Sequence, residues 1–179
     1  KTIYAGLLAF IFLFLEESYP FIPVQLTLSS VVTIGIPSFI LALEPNKDRV
    51  EGNFLVNVLK KAAPPAFVIV LNIVIITLFG NAIGLTYAKV STLSLTITSY
   101  VSFILLYKVC QPFNRIRLIL FALMFYLFIY CIMNLTTLFS ITHFDYLMIF
   151  ITFIVMFVSH ELYKLFEILV DKIIKKLKI

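Results

Sequence analysis

Apolar runs alternate with short polar breaks along almost the whole chain. A helix that crosses the hydrocarbon core of a bilayer needs about 20 predominantly apolar residues, at roughly 1.5 Å of rise each. The runs at 24–43, 66–88, 90–107, 118–139 and 146–163 meet or approach that length. The first run, 2–15, falls short, and extending it to residue 18 adds Glu16 and Glu17, which belong at a water interface. We therefore expect a sixth span over 2–18 whose helix begins upstream of Lys1. The pattern predicts an all-α fold: a polytopic membrane protein, one transmembrane domain built as a bundle of six transmembrane helices, the first truncated at its N-terminus.

The breaks have patterns of their own. Residues 44–65 form a polar loop in which Phe54, Leu55, Val58 and Leu59 recur at helical spacing. That suits a short amphipathic helix lying on the membrane or against a soluble partner, ended by Pro64-Pro65. Asn72, Gly80, Asn81 and Gly84 interrupt the third span, so its outer end should be irregular. The fourth span is rich in serine and threonine from Ser91 to Ser102. Small hydroxyl residues let helices approach closely, so these read first as packing and second as ligands. Beyond His160 the last helix continues as an amphipathic tail, residues 164–179, with Leu165, Phe166, Leu169 and Ile173 on one side. Asp171 and Lys175 in that tail have the spacing of an i, i+4 pair.

Composition sharpens the class. The chain has 179 residues, 62% hydrophobic and only 13% charged, with a mean hydropathy of +1.10. No soluble domain of this length has that balance. The net charge of +5 does not point to nucleic acid, because the basic residues sit in the connectors. Six spans would put both termini on one side. All of the 14 lysines and arginines except Lys89 then fall on that side. The positive-inside rule makes that side the cytoplasm and, with the resemblance given below, the expected location is a bacterial plasma membrane. Cys110 and Cys131 lie in no metal or redox motif, and no disulfide is expected. There is no nucleophile–base pair, phosphate-cradling glycine loop or metal-ligand cluster of the soluble kind.

Candidate chemistry concentrates in the second span, at Thr33-Ile34-Gly35-Ile36-Pro37. Pro37 has no N–H to return to Thr33, and its ring crowds that carbonyl. Ile36, before a proline, is pushed out of helical geometry, and Gly35 lets the chain take up the distortion. The expectation is an unwound helix at membrane depth with a freed carbonyl that needs a neighbouring helix, a water or an ion. Gln25, Ser29 and Thr33 share one face, and Ser30 lies beside it. Hydroxyls and carbonyls converging at mid-membrane are oxygen ligands of the type hard cations take. The alternative is a proline kink covered by neighbouring helices. Glu16 and Glu17 could line an outer mouth or be solvated turn charges; His160-Glu161 could relay protons or form an interfacial pair. Lys1 could snorkel, face the bundle or serve as a flanking lysine, and the C-terminal lysines suit anionic headgroups.

The order Pro23-Val24-Gln25-Leu26, Ser30-Val31-Val32-Thr33-Ile34-Gly35-Ile36-Pro37, then Ala42-Leu43-Glu44-Pro45-Asn46 resembles the sixth transmembrane helix of P-type cation-transporting ATPases. The resemblance is specific over residues 19–46, and in layout the six spans match the fifth to tenth of that family. It implies that actuator, nucleotide-binding and phosphorylation domains lie upstream, with ATP and Mg2+ bound there. The ion pathway would involve Gln25, Ser29, Ser30, Thr33, Gly35 and Pro37. The loop beginning Glu44, Pro45, Asn46, Lys47 and Arg49 would couple to the phosphorylation domain. Ser30 and Ile34 stand where well-known calcium and sodium pumps have Asn and a ligating Asp, so the metal-ligand set stays unknown. The form Thr-Ile-Gly-Ile-Pro-Ser-Phe resembles a divergent, CtpE-like bacterial subgroup associated with calcium or other divalent cations. Two other readings are a stand-alone six-helix permease subunit or scaffold without ATP chemistry, and a lipid flippase of the same superfamily.

Overall fold

The structure is a computed structural model that describes residues 1–15, 17–44 and 54–177. The described residues form helices α1 (Thr2–Phe12), α2 (Pro23–Ser30), a π-helical turn (Val31–Gly35), α3 (Ile36–Ala42), α4 (Phe54–Ala82), α5 (Tyr87–Val109), α6 (Arg115–Asn134) and α7 (Tyr146–Leu177). No strand occurs among them. Five segments among the described residues are long and apolar enough to cross a membrane: Pro23–Ala42, Val56–Ala82, Tyr87–Val109, Arg115–Asn134 and Tyr146–Ile174. Helix α1 has 11 residues, about 16 Å at the standard rise, and is too short to cross by itself.

Helix α5 is the axis of the bundle. Of its apolar window 72% is buried, against 22% for α6 and α7, so the serine- and threonine-rich helix is the one surrounded by protein. Leu95, Phe103 and Leu106 pack with Leu28, Val32, Met124 and Phe128 from α2, the π turn and α6. Val101 joins Tyr4, Leu8, Val68, Ile73 and Tyr163 from α1, α4 and α7. Leu93 and Ile97 meet Ile76 and Met148. Lipid tails are as apolar as these side chains, so shape fit and interhelical hydrogen bonds hold the helices together. At Gly80 the fit is close: a β-carbon there would sit 2.9 Å from Val90 Cγ2.

Polar contacts sort the connectors into two ends. At one end Arg117 Nε donates to Glu44 Oε2 at 2.7 Å, and Asn114 Nδ2 donates to Glu44 Oε1. Lys108 Nζ meets Glu167 Oε2 at 2.6 Å and Lys60 Nζ lies 3.1 Å from Asp171 Oδ1. At the other end Asn81 Nδ2 donates to Glu17 Oε2, Tyr87 Oη donates to Tyr19 O at 3.0 Å, and Lys89 Nζ meets Asp145 Oδ2 at 2.6 Å. Of the basic side chains tied down by these contacts, only Lys89 is at the second end. Asn114 caps α6 by accepting from Arg117 N at 2.8 Å, and Asp145 caps α7 by accepting from Met148 N at 2.8 Å.

Two expectations change. Pro64 and Pro65 do not end a short helix; both lie inside α4, so the amphipathic stretch from residue 54 runs unbroken into the span. Two prolines remove only the donors that would reach Lys60 and Lys61, and those carbonyls sit beside the charged cluster at the helix entrance and not in the apolar stretch. The fifth apolar run ends as helix at Asn134, not at 139. Its remainder folds into a turn in which Ile141 N donates to Thr136 O at 2.8 Å and Ser140 takes φ 52°, a left-handed closure of the Schellman type. Gly84, at φ 75°, closes α4 the same way, with Leu85 N donating to Gly80 O at 2.8 Å. The Asp171 carboxylate reaches across the bundle to Lys60, while the Lys175 side chain is outside the described residues.

Candidate functional site

The segment from Pro23 to Ala42 is broken at the expected place but is not unwound. The Ile36 N–H reaches back five residues to Val31 O, so the break is a single π turn. A π turn adds one residue to the helical register. It leaves Pro37 in the first turn of α3, where a missing N–H costs nothing. Gly35 has φ −59° and open space around a would-be β-carbon, whose nearest contact is Ser30 O at 3.7 Å. The turn therefore does not depend on glycine's freedom, contrary to the expectation from sequence. Two carbonyls of the segment take local side-chain donors: Thr33 Oγ1 donates to Ser29 O at 2.7 Å and Ser38 Oγ to Gly35 O at 3.1 Å.

The polar face turns inward. Gln25, Ser29, Thr33 and Pro37 are buried, whereas Val31 and Ile34 on the opposite side are about two-fifths exposed. Gln25 is wholly enclosed: its Nε2 donates to Ser140 O at 2.8 Å and its Oε1 accepts from Ser91 Oγ. One turn deeper, Ser99 Oγ donates to Ser29 Oγ at 2.9 Å. Ser30 Oγ donates to Leu26 O at 2.6 Å and accepts from Lys1 Nζ. An ammonium thus faces the broken helix near its middle. At an effective dielectric of about 20, two unit charges 4 Å apart repel by roughly 4 kcal/mol, so Lys1 disfavours a second cation at Ser30 while its charge stays there.

Helix α5 supplies what the sequence ranked second. Ser91 and Ser99 bond to α2, and Ser94 Oγ and Thr98 Oγ1 are buried with no hydrogen-bond partner. A buried orphan hydroxyl costs about 1–3 kcal/mol, so in a membrane bundle such groups mark where a water or a substrate belongs. Thr152 Oγ1 on α7 is a third, and Asn72 Nδ2 donates to Ser159 Oγ at 2.8 Å nearby on the α4–α7 seam. The signal in the sequence was the spacing 91, 94, 98, which sets three hydroxyls on neighbouring positions of one helix. Among the described residues no three His, Cys, Asp or Glu side chains cluster to hold a metal; the buried oxygens are hydroxyl, amide and carbonyl.

Glu44 is fixed at the base of α3 by Arg117 and Asn114, whose hydrogen bonds hold its carboxyl below the usual carboxylate range despite desolvation. Pro45, Asn46, Lys47 and Arg49, named from sequence as the coupling loop, lie outside the described residues, as does Glu16. Glu17 accepts from Asn81, and His160 and Glu161 sit within α7, with Glu161 bound to Lys164.

Comparison with known proteins speaks to this arrangement. A probable cation-transporting ATPase, exp7, of Streptococcus pneumoniae is 34% identical over 128 residues, covering 67% of this chain and 16% of that protein. Over part of its length, the chain is homologous to cation-transporting P-type ATPases. The calcium-transporting ATPase CtpE of Mycolicibacterium smegmatis is 41% identical over 51 residues, and that of Mycobacterium bovis 43% over the same length, each match covering 28% of this chain. The chain spans about a sixth of the exp7 protein and 6% of the CtpE proteins in these matches. No protein-family profile matches it, and no solved structure does.

Proposed function

We propose that this chain lines the ion pathway in the membrane domain of an ATP-driven cation pump of the P type. The homology over 128 residues carries this reading, and the geometry fits it. A helix broken by a π turn sets Gln25 and Ser29 against the most enclosed helix of the bundle, with Thr33 buried on the same face, and that helix offers Ser94 and Thr98 unpaired. Neutral oxygens alone hold a divalent ion poorly, because burying its charge is costly. The pathway therefore completes its ligand set with a carboxylate from another part of the intact protein, and Lys1 moves off Ser30 when the ion enters.

In this reading the basic end of the bundle, where α7 ends, faces the bacterial cytoplasm. The segment after Glu44 starts from the Arg117–Asn114 anchor and docks on the phosphorylation domain, which together with the actuator and nucleotide-binding domains binds ATP and Mg2+ and drives transport. Calcium is the first ion to test, since matched relatives are named for it; other divalent cations follow. The test is ATP hydrolysis and calcium uptake by the intact protein in proteoliposomes. Stimulation of hydrolysis by a cation, with uptake of that cation, is expected. Hydrolysis stimulated by lipid and indifferent to every cation would overturn it in favour of a flippase.

A further inference from the structure

The basic end of the bundle contains a feature the ion pathway does not use. Helices α4, α5 and α7 part there around a half-open cavity of about 750 Å³. Three lysines line it, Lys60 and Lys61 from α4 and Lys108 from α5, against two carboxylates, Glu167 and Asp171 from α7. Lys108 is committed: its ammonium bonds to Glu167 at 2.6 Å and lies 4.4 Å from the centre of the Tyr163 ring. Lys60 stands 3.1 Å from Asp171 Oδ1, yet that buried oxygen has no aligned hydrogen-bond donor. Lys61 has no carboxylate within ion-pair distance among the described residues. Among the described residues the lining is thus one positive charge in excess and has one buried acceptor without an aligned donor. Leu105 and Val109 give it an apolar wall, at the level where α5 ends and α4 enters its apolar stretch.

We propose that this cavity binds the headgroup of one anionic phospholipid of the phosphatidylglycerol kind. A phosphodiester carries one negative charge, which balances the excess at Lys61 and Lys60. A headgroup hydroxyl supplies the donor that Asp171 Oδ1 lacks, and the acyl chains leave along the apolar wall toward the bilayer. A zwitterionic headgroup would bring a second positive charge beside three lysines and is disfavoured. The inference needs the chain to lie in a membrane with this end at an interface, but not the identity of any transported ion.

The test counts lipids retained by the intact protein after detergent extraction from vesicles of phosphatidylcholine, phosphatidylethanolamine and phosphatidylglycerol. Phosphatidylglycerol should be enriched on the protein. Lys61→Gln should reduce that enrichment about fivefold, the value of one lysine near an anionic surface, and Lys61→Glu should abolish it. Asp171→Asn, which raises the cavity's net charge, should leave enrichment undiminished. Lys164→Glu, on α7 outside the cavity lining, should change nothing. Each variant's melting temperature in phosphatidylcholine verifies its folding. Equal retention of the three lipids, loss in Lys164→Glu matching that in Lys61→Glu, or displacement by millimolar inorganic phosphate would overturn the proposal. The last result would make this a phosphate site and not a lipid site.

Discussion

Replacing Gln25 by leucine keeps the side-chain volume nearly constant and removes its hydrogen-bonding atoms. The wild-type amide is completely buried and ties three elements: α2 itself, Ser91 on α5 and the Ser140 carbonyl in the turn before α7. Interhelical hydrogen bonds in membrane bundles average about 0.6 kcal/mol and reach about 1.7 kcal/mol. Two such bonds give roughly 1–3 kcal/mol. The Ser91 hydroxyl can turn back to a carbonyl of its own helix, but the Ser140 carbonyl is held in a left-handed turn and cannot follow. We therefore expect Gln25→Leu to destabilise the intact protein by about 2 kcal/mol, in reversible unfolding from mixed micelles. Gln25→Glu should cost more, because it sets a carboxylate against the carbonyl that the amide had served. Stability unchanged within about 0.3 kcal/mol in both variants would refute the placement of this face against α5 and the α6–α7 turn.

The remaining predictions concern other contacts. Gly80→Ala forces a β-carbon to 2.9 Å from Val90 Cγ2 and should cost about 1–3 kcal/mol, whereas Gly35→Ala, with ordinary space around it, should be tolerated; melting temperatures compare the two. The Asp145 carboxyl is held below its ordinary range first by the hydrogen bond from Lys89 and then by that from Met148 N. Its folded value lies below its unfolded one, so its contribution is present above about pH 4 and is lost as pH falls through the folded value. Asp145→Asn should consequently flatten the acid limb of a stability–pH profile below pH 4 and leave its shape near pH 7 unaltered.

Five of the six expected spans were legible because hydrophobic run length is a direct consequence of bilayer thickness, whereas α1 is too short to bear out the sixth. The asymmetry of lysine and arginine is likewise a property of the connectors alone. What escaped depends on which donors and acceptors meet. Pro37 announces a break, but only the register of the surrounding carbonyls decides between unwinding and a π turn. Pro64 and Pro65 look like a helix end because they lack donors; they are tolerated because the helix continues from both sides and the abandoned carbonyls lie at its charged entrance. Residues 135–139 are as apolar as a helix end and fold as a turn, since hydropathy does not distinguish the two. The inward direction of Gln25, Ser29 and Thr33 followed from their spacing. Their partners Ser91, Ser99 and Ser140 did not, because contacts 66 to 115 residues apart leave no trace in local pattern.

In the proposed pump the oxygens at the π turn belong to a cation's path and are more than packing. Thr33→Val is nearly isosteric and removes one hydroxyl whose recorded bond is to Ser29 within its own helix, so stability should change by less than about 1 kcal/mol. Cation-dependent phosphorylation of the intact protein by ATP reads out whether those oxygens meet the ion. Half-maximal phosphorylation by calcium, or by whichever cation proves to be transported, should shift by about 10- to 100-fold in Thr33→Val, the worth of one buried oxygen contact. An unaltered cation dependence in a folded Thr33→Val protein, and again in Ser29→Ala, would contradict it.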